Sequence, residues 1–233
     1  MHFFTNFAND MDNLLLTERI VANKDWATLL FFVGFSIIAI NRTIFSVRFA
    51  EFTRLVISDK YLKIYKDNTN LRNSFTLSFL TIQLLSITFF LQIAAKSFGF
   101  IEQYTLLSYI QILNFTCFFV IGKYLIDKII GITFEIEDFV DHFNLQKATY
   151  RNYIGMYLLG IDLLLFYNDI VNQFAITLLG IALILTNLGL YVIFIKNNRK
   201  TILNKLFYFI LYLCTLEIAP YFIIYFAFKN FRA

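Results

Sequence analysis

The chain has 233 residues, 59% hydrophobic and 19% aromatic but only 15% charged, with 30 Phe and 14 Tyr against one Pro. A soluble domain is about 45–50% apolar and about 25% charged, so both a soluble core and a linker-rich disordered chain are excluded. The net charge of +4 comes mostly from loops beside apolar runs, and no basic stretch interleaved with aromatics points to nucleic acid as a partner.

The composition predicts an all-α polytopic transmembrane bundle, a single integral domain over residues 1–233. Residues 1–25 read as a periplasmic N-terminal segment. Met1 to Asp10 has no Lys or Arg, and Leu14 to Leu16 is too short for a secretory core. Met11 to Ala22 suits a short surface helix leading to Asp25 and Trp26, where tryptophan marks an interface. Six spans follow, at 26–45, 75–95, 105–126, 153–170, 174–195 and 206–227. Each is long enough to cross about 30 Å of hydrocarbon at about 1.5 Å per residue. No alternation of period two persists through any of them, which favours helices over barrel strands.

Between the first two spans, Phe49, Phe52, Val56 and Leu62 alternate with Arg48, Glu51, Asp59, Lys63 and Lys66. That pattern predicts a cytoplasmic interfacial helix around 46–66, with Arg48, Arg54, Lys60, Lys63 and Lys66 meeting anionic lipid headgroups. A short solvated connector is the alternative. Thirteen Lys and Arg flank the loops after spans one, three and five, against five on the opposite side. The positive-inside rule makes the basic loops cytoplasmic and puts both termini in the periplasm.

Ionisable groups within a bilayer are costly, about 2.5–3.5 kcal/mol at mid-helix, so they are the first candidates for function. Glu217 lies mid-span, three residues before Pro220, which removes a backbone hydrogen bond and predicts a kink. It is either a proton or cation site or a neutral, hydrogen-bonded structural group. Asp162 either pairs with Glu217, opens its short span to water, or is satisfied by polar neighbours. Lys123 and Asp127 are four apart and predict a local ion pair. Gln83, Gln92, Gln111, Asn114 and Asn187 suit hydrogen bonds between helices. The acidic cluster of Glu135, Glu137, Asp138, Asp141 and His142 matches no metal-loop spacing and reads as a solvated face. Cys117 and Cys214 sit in apolar segments as small hydrophobes.

No HExxH, GxSxG or P-loop occurs, and His2 and His142 both fall outside the spans. No catalytic residue, metal site or cofactor is expected.

The run Leu211-Tyr212-Leu213-Cys214-Thr215-Leu216-Glu217-Ile218-Ala219-Pro220 resembles the closing signature of a Bacteroidota membrane-protein family known as a domain of unknown function. Asp25-Trp26, and Arg151-Asn152-Tyr153 with Gly155, resemble its pattern too, and the likeness runs over nearly the whole chain. At Asp162 the chain departs from that family's more apolar pattern. The resemblance implies a bacterial inner-membrane protein of about six helices and no particular activity. With short loops and no catalytic constellation, the expected role is non-enzymatic, through a membrane-protein partner or homo-oligomer, possible settings being envelope assembly or secretion. A small proton-coupled transporter using Glu217 and Asp162 is the rival, and a lipid-modifying enzyme at the basic face the third reading.

Overall fold

A computed structural model describes residues 24–55, 74–133, 137–168 and 172–197. Six helices run through them: α1 (Asp25–Ile44), α2 (Ser46–Thr53), α3 (Ser74–Ser97), α4 (Leu106–Thr133), α5 (Glu137–Tyr167) and α6 (Gln173–Asn197). Among the described residues there is no strand, as the apolar patterning predicts.

Helix α1 carries Asp25 in its first turn and Arg42 in its last, both favourable to the helix dipole. Its buried residues Ala27, Phe31, Gly34 and Asn41 form one stripe at helical spacing. The chain turns at Phe45, whose N–H donates to the Asn41 carbonyl at 3.0 Å, and restarts as α2. The expected interfacial helix is thus only eight residues long within the described part, and it packs inward through Phe52.

Helix α3 is the central element, touching α1, α4, α5 and α6. Its exposed residues Leu77 and Leu91 are as apolar as its buried ones, so it lacks a strong amphipathic stripe. It stops at Gly99, whose φ of 77° is open to glycine at little cost. Phe100 N–H bonds the Ala95 carbonyl at 2.8 Å and Gly99 N–H the Lys96 carbonyl at 3.0 Å, which satisfies the last turn. Helix α4 then opens on Thr105, whose hydroxyl oxygen accepts from Ser108 N–H at 3.1 Å.

Two boundaries differ from expectation. Helix α4 continues past residue 126 to Thr133, and α5 starts at Glu137 rather than 153. The 31-residue α5 runs well beyond its apolar stretch because its polar N-terminal half finds partners on α4. Lys128 donates to Glu137 and, at 3.0 Å, to Asp141. These bonds hold the Lys128 ammonium above the ordinary lysine range. Glu137 and Asp141, expected in a loop, are therefore helical; Glu135 and the side chains of Asp138 and His142 lie outside the described residues.

The long helices alternate in direction. Thr76, Gln83, Ser86 and Phe89 of α3 meet Asn152, Gly155, Asp162 and Phe166 of α5 in the same order, so these two helices are parallel. Against α3, α1 runs antiparallel, with Asn41 at Ser78 and Phe31 at Phe89. Helix α4 runs antiparallel to α5, with Tyr104 at Phe166 and Asp127 at Lys147. Helix α6 does the same, with Gly180 beside Phe90 and Asn187 beside Arg151.

Among the described residues, α1 and α3 are long and apolar enough to cross a membrane. They coincide with the first two expected spans; the sixth lies outside the described residues.

Candidate functional site

Asp162 is fully buried on α5, and Ser86 Oγ of α3 donates to its Oδ2 at 2.9 Å. Its Oδ1 has no hydrogen-bond partner among the described residues. One turn further along both helices lies an aromatic cluster that closes over this pair. Phe89 stacks on Phe31 at 4.1 Å and meets Tyr109 at 4.6 Å, Phe166 at 5.8 Å and Trp26 at 6.2 Å. Four helices therefore converge on one ring. A carboxyl group held by one hydroxyl under such a lid joins two helices; bonds of this kind contribute about 0.6 kcal/mol on average inside a membrane.

The second polar group lies toward the opposite end of α5. Asp127 of α4 faces Lys147 of α5 at 3.6 Å, with both side chains nearly out of contact with solvent. Lys147 Nζ also lies 5.3 Å above the Phe143 ring. Lys123 is buried one turn before Asp127 on the same helix. Sequence spacing pointed to Lys123 on the same helix; the fold also brings Asp127 a cation from another helix, Lys147.

The stretch from Arg151 to Gly155 fastens α5 to three helices at once. Arg151 Nε donates to Asn187 Oδ1 of α6 at 3.5 Å, and Asn152 Nδ2 to the Thr76 carbonyl of α3 at 3.4 Å. Tyr153 Oη donates to the Thr53 carbonyl of α2 at 3.5 Å. Gly155 leaves room for α3 to come so close that a Cβ there would lie 2.8 Å from Gln83 Cα. These residues carried part of the family resemblance, but only the fold shows that they work as one joint.

Two cavities flank this joint. One, of about 640 Å³, lies between α3, α4, α5 and α6 with mostly apolar walls. The other, of about 280 Å³, is lined by Lys123, Asp127, Lys147 and Arg151 among others. Gln83, Val120 and Arg151 line both. Asp162 lines neither.

The remaining expected residues are scattered. Arg48 is buried, its guanidinium 4.7 Å above the Phe75 ring and Nη2 3.5 Å from Thr76 Oγ1, so it faces α3; Arg54 is exposed. Lys60, Lys63, Lys66, Glu217 and Pro220 lie outside the described residues, as does Cys214. Gln92 Nε2 donates to the Thr105 carbonyl at 3.0 Å, Gln111 lines the larger cavity, and Asn114 is exposed. Cys117 is a half-buried thiol. Among the described residues, no three His, Cys, Asp or Glu come together as metal donors.

Among the described residues, an all-helical fold with two helices long and apolar enough to cross a membrane defines the class. The chain belongs to the family Domain of unknown function (DUF4271), which it matches over residues 27–228. No curated protein and no solved structure matches it.

Proposed function

We propose that this chain is a non-enzymatic, multi-pass protein of the bacterial inner membrane that acts through a membrane-protein partner, within an envelope assembly or secretion apparatus. The resemblance of residues 211–220 to a Bacteroidota signature supports that setting. Repeated crossing is supported by the alternating directions of α1, α3, α4, α5 and α6, since successive spans must reverse. The six apolar runs support six crossings, and the loop charges support both termini in the periplasm. A reporter active only in the cytoplasm, fused at Ala233, is expected to be silent; strong activity would overturn this topology.

The observation that supports the partner reading over transport through Asp162 is the setting of that residue; Glu217, the other acid of the transport reading, lies outside the described residues. A carrier needs its ionisable group on a wetted path. Asp162 is sealed between α3 and α5, bonded to Ser86, and lines neither cavity. A partner reading also has a surface available to it. Leu107, Phe115, Phe118, Ile121, Leu125 and Ile129 form an exposed apolar flank along α4, which in a membrane faces either lipid or a partner helix.

Asp162→Asn tests the choice. The amide keeps the size of the carboxyl group and still accepts from Ser86. The variant is expected to accumulate as the wild type does and to migrate in the same complex on a native gel after mild-detergent extraction. Wild-type protein that takes up protons in liposomes, with uptake lost in a normally accumulating Asn variant, would establish a carrier instead.

A further inference from the structure

We propose that two copies of this chain pair in the membrane through α4, with the Asn114 amides of both copies hydrogen-bonded to each other within the seam. The seam is Leu107, Gln111, Asn114, Phe118, Ile121 and Leu125. Its steps alternate between four and three residues, the spacing by which two helices interlock in a left-handed coiled coil. All six side chains are exposed, Leu107 at 67% and Phe118 at 79%, so the stripe runs unbroken along the outer face of α4. Gln111 also borders the larger cavity. Membrane helices commonly cross at the shallow angle this spacing suits.

Asn114 is what separates a second copy from lipid. An amide that faces hydrocarbon has no water to bond, so leaving it unpaired is costly. Asn41 and Asn187 meet this need within their own helices, donating to the Ile37 and Leu183 carbonyls at 2.8 Å. Asn114 makes no hydrogen bond to any described residue. An amide carries both donor and acceptor, so two of them can each give and take one bond. Copies inserted in the same orientation are related by a twofold axis along the membrane normal, which places both Asn114 side chains at one depth. A polar group at a single seam position also fixes the register of two helices. An unrelated partner would have to bring a matching group to that depth by its own sequence. The pairing deepens the partner reading proposed above and rests on its multi-pass topology, in which Asn114 falls near the middle of the third span.

The test uses the full chain in its native membranes, with Cys117 and Cys214 replaced by Ala and one cysteine introduced. Phe118→Cys, on the seam one turn from Asn114, is expected to give a disulfide-linked dimer on mild oxidation. Tyr124→Cys, exposed on α4 but off the seam, is expected to stay monomeric. Pairing strength is read by energy transfer between labelled copies reconstituted at falling protein-to-lipid ratios. Asn114→Leu should weaken the dimer about tenfold, although leucine suits lipid better than asparagine does. Asn114→Gln keeps the amide and should weaken it less. A far-UV helical signal equal to wild type qualifies each variant, and the cross-link and the Asn114→Leu shift are independent checks.

No dimer from Phe118→Cys, equal dimer from Phe118→Cys and Tyr124→Cys, or unchanged pairing in Asn114→Leu overturns the proposal. A disulfide from Phe118→Cys to a retained Cys214 of the same chain would show the seam covered from within and overturns it too. A cross-link to a different protein overturns the second copy and leaves the partner reading standing. Recovery of the chain in the soluble fraction would overturn the membrane reading itself.

Discussion

Phe89→Ala is expected to lower stability by about 3–5 kcal/mol, the usual cost of removing a large buried ring. The ring is fully buried and joins α3 to α1, α4 and α5 through Phe31, Tyr109 and Phe166. Inside a membrane the loss falls on packing, because lipid tails are as apolar as the side chain and burial alone drives little association. Phe89→Leu should cost less than half as much, since it refills most of the volume. Denaturant titration in mixed micelles, followed by the helical signal, reads both. An Ala variant within about 0.5 kcal/mol of wild type would show that the ring does not hold the four helices together.

Gly155→Ala is the second large effect, and its sign is opposite to the usual helix rule. Alanine in place of glycine normally favours a helix by about 0.5–1 kcal/mol. At Gly155 the added Cβ would lie 2.8 Å from Gln83 Cα and 3.1 Å from Gln83 Cβ, so the main chains of α3 and α5 must separate. Overpacking of this kind costs about 1–3 kcal/mol, and Gly155→Leu more. A methyl group at Gly160, further along α5, would meet nothing within 4 Å, so Gly160→Ala should be neutral or stabilising. The same titration separates the two, and equal responses at both positions would remove the close-approach account.

Apolar runs located the early helices well. Residues 26–45 and 75–95 became α1 (Asp25–Ile44) and α3 (Ser74–Ser97). They did less well for α5, because hydropathy reports where a helix is greasy and not where it begins. The segment from Glu137 to Asn152 is polar yet helical, and its partners Lys128 and Asp127 sit on another helix. The same limit applied to the sites. Four-residue spacing suggested Lys123 for Asp127, and it could not show that the fold also brings Lys147 of another helix to that carboxylate. Asp162 stood out as an acid within an apolar run, but Ser86 lies 76 positions away, and no local pattern joins them. The joint at Arg151 to Gly155 was legible only as a resemblance, since its partners are spread over α2, α3 and α6.

The parallel pairing of α3 with α5 also governs the order of biosynthesis. In the multi-pass reading proposed above, two spans that run the same way cannot be neighbours in the chain, so α3 would reach the bilayer before α5, its main packing partner, has been translated. Ser86 waits 76 residues for Asp162, about 4–15 s at common translation rates. During that interval the polar edge formed by Gln83, Ser86 and Gln92 must be sheltered by α1, by nascent α4 or by the insertion machinery. A nascent chain halted before Asn152 would present that edge without its partner helix, making it a substrate for membrane proteolysis.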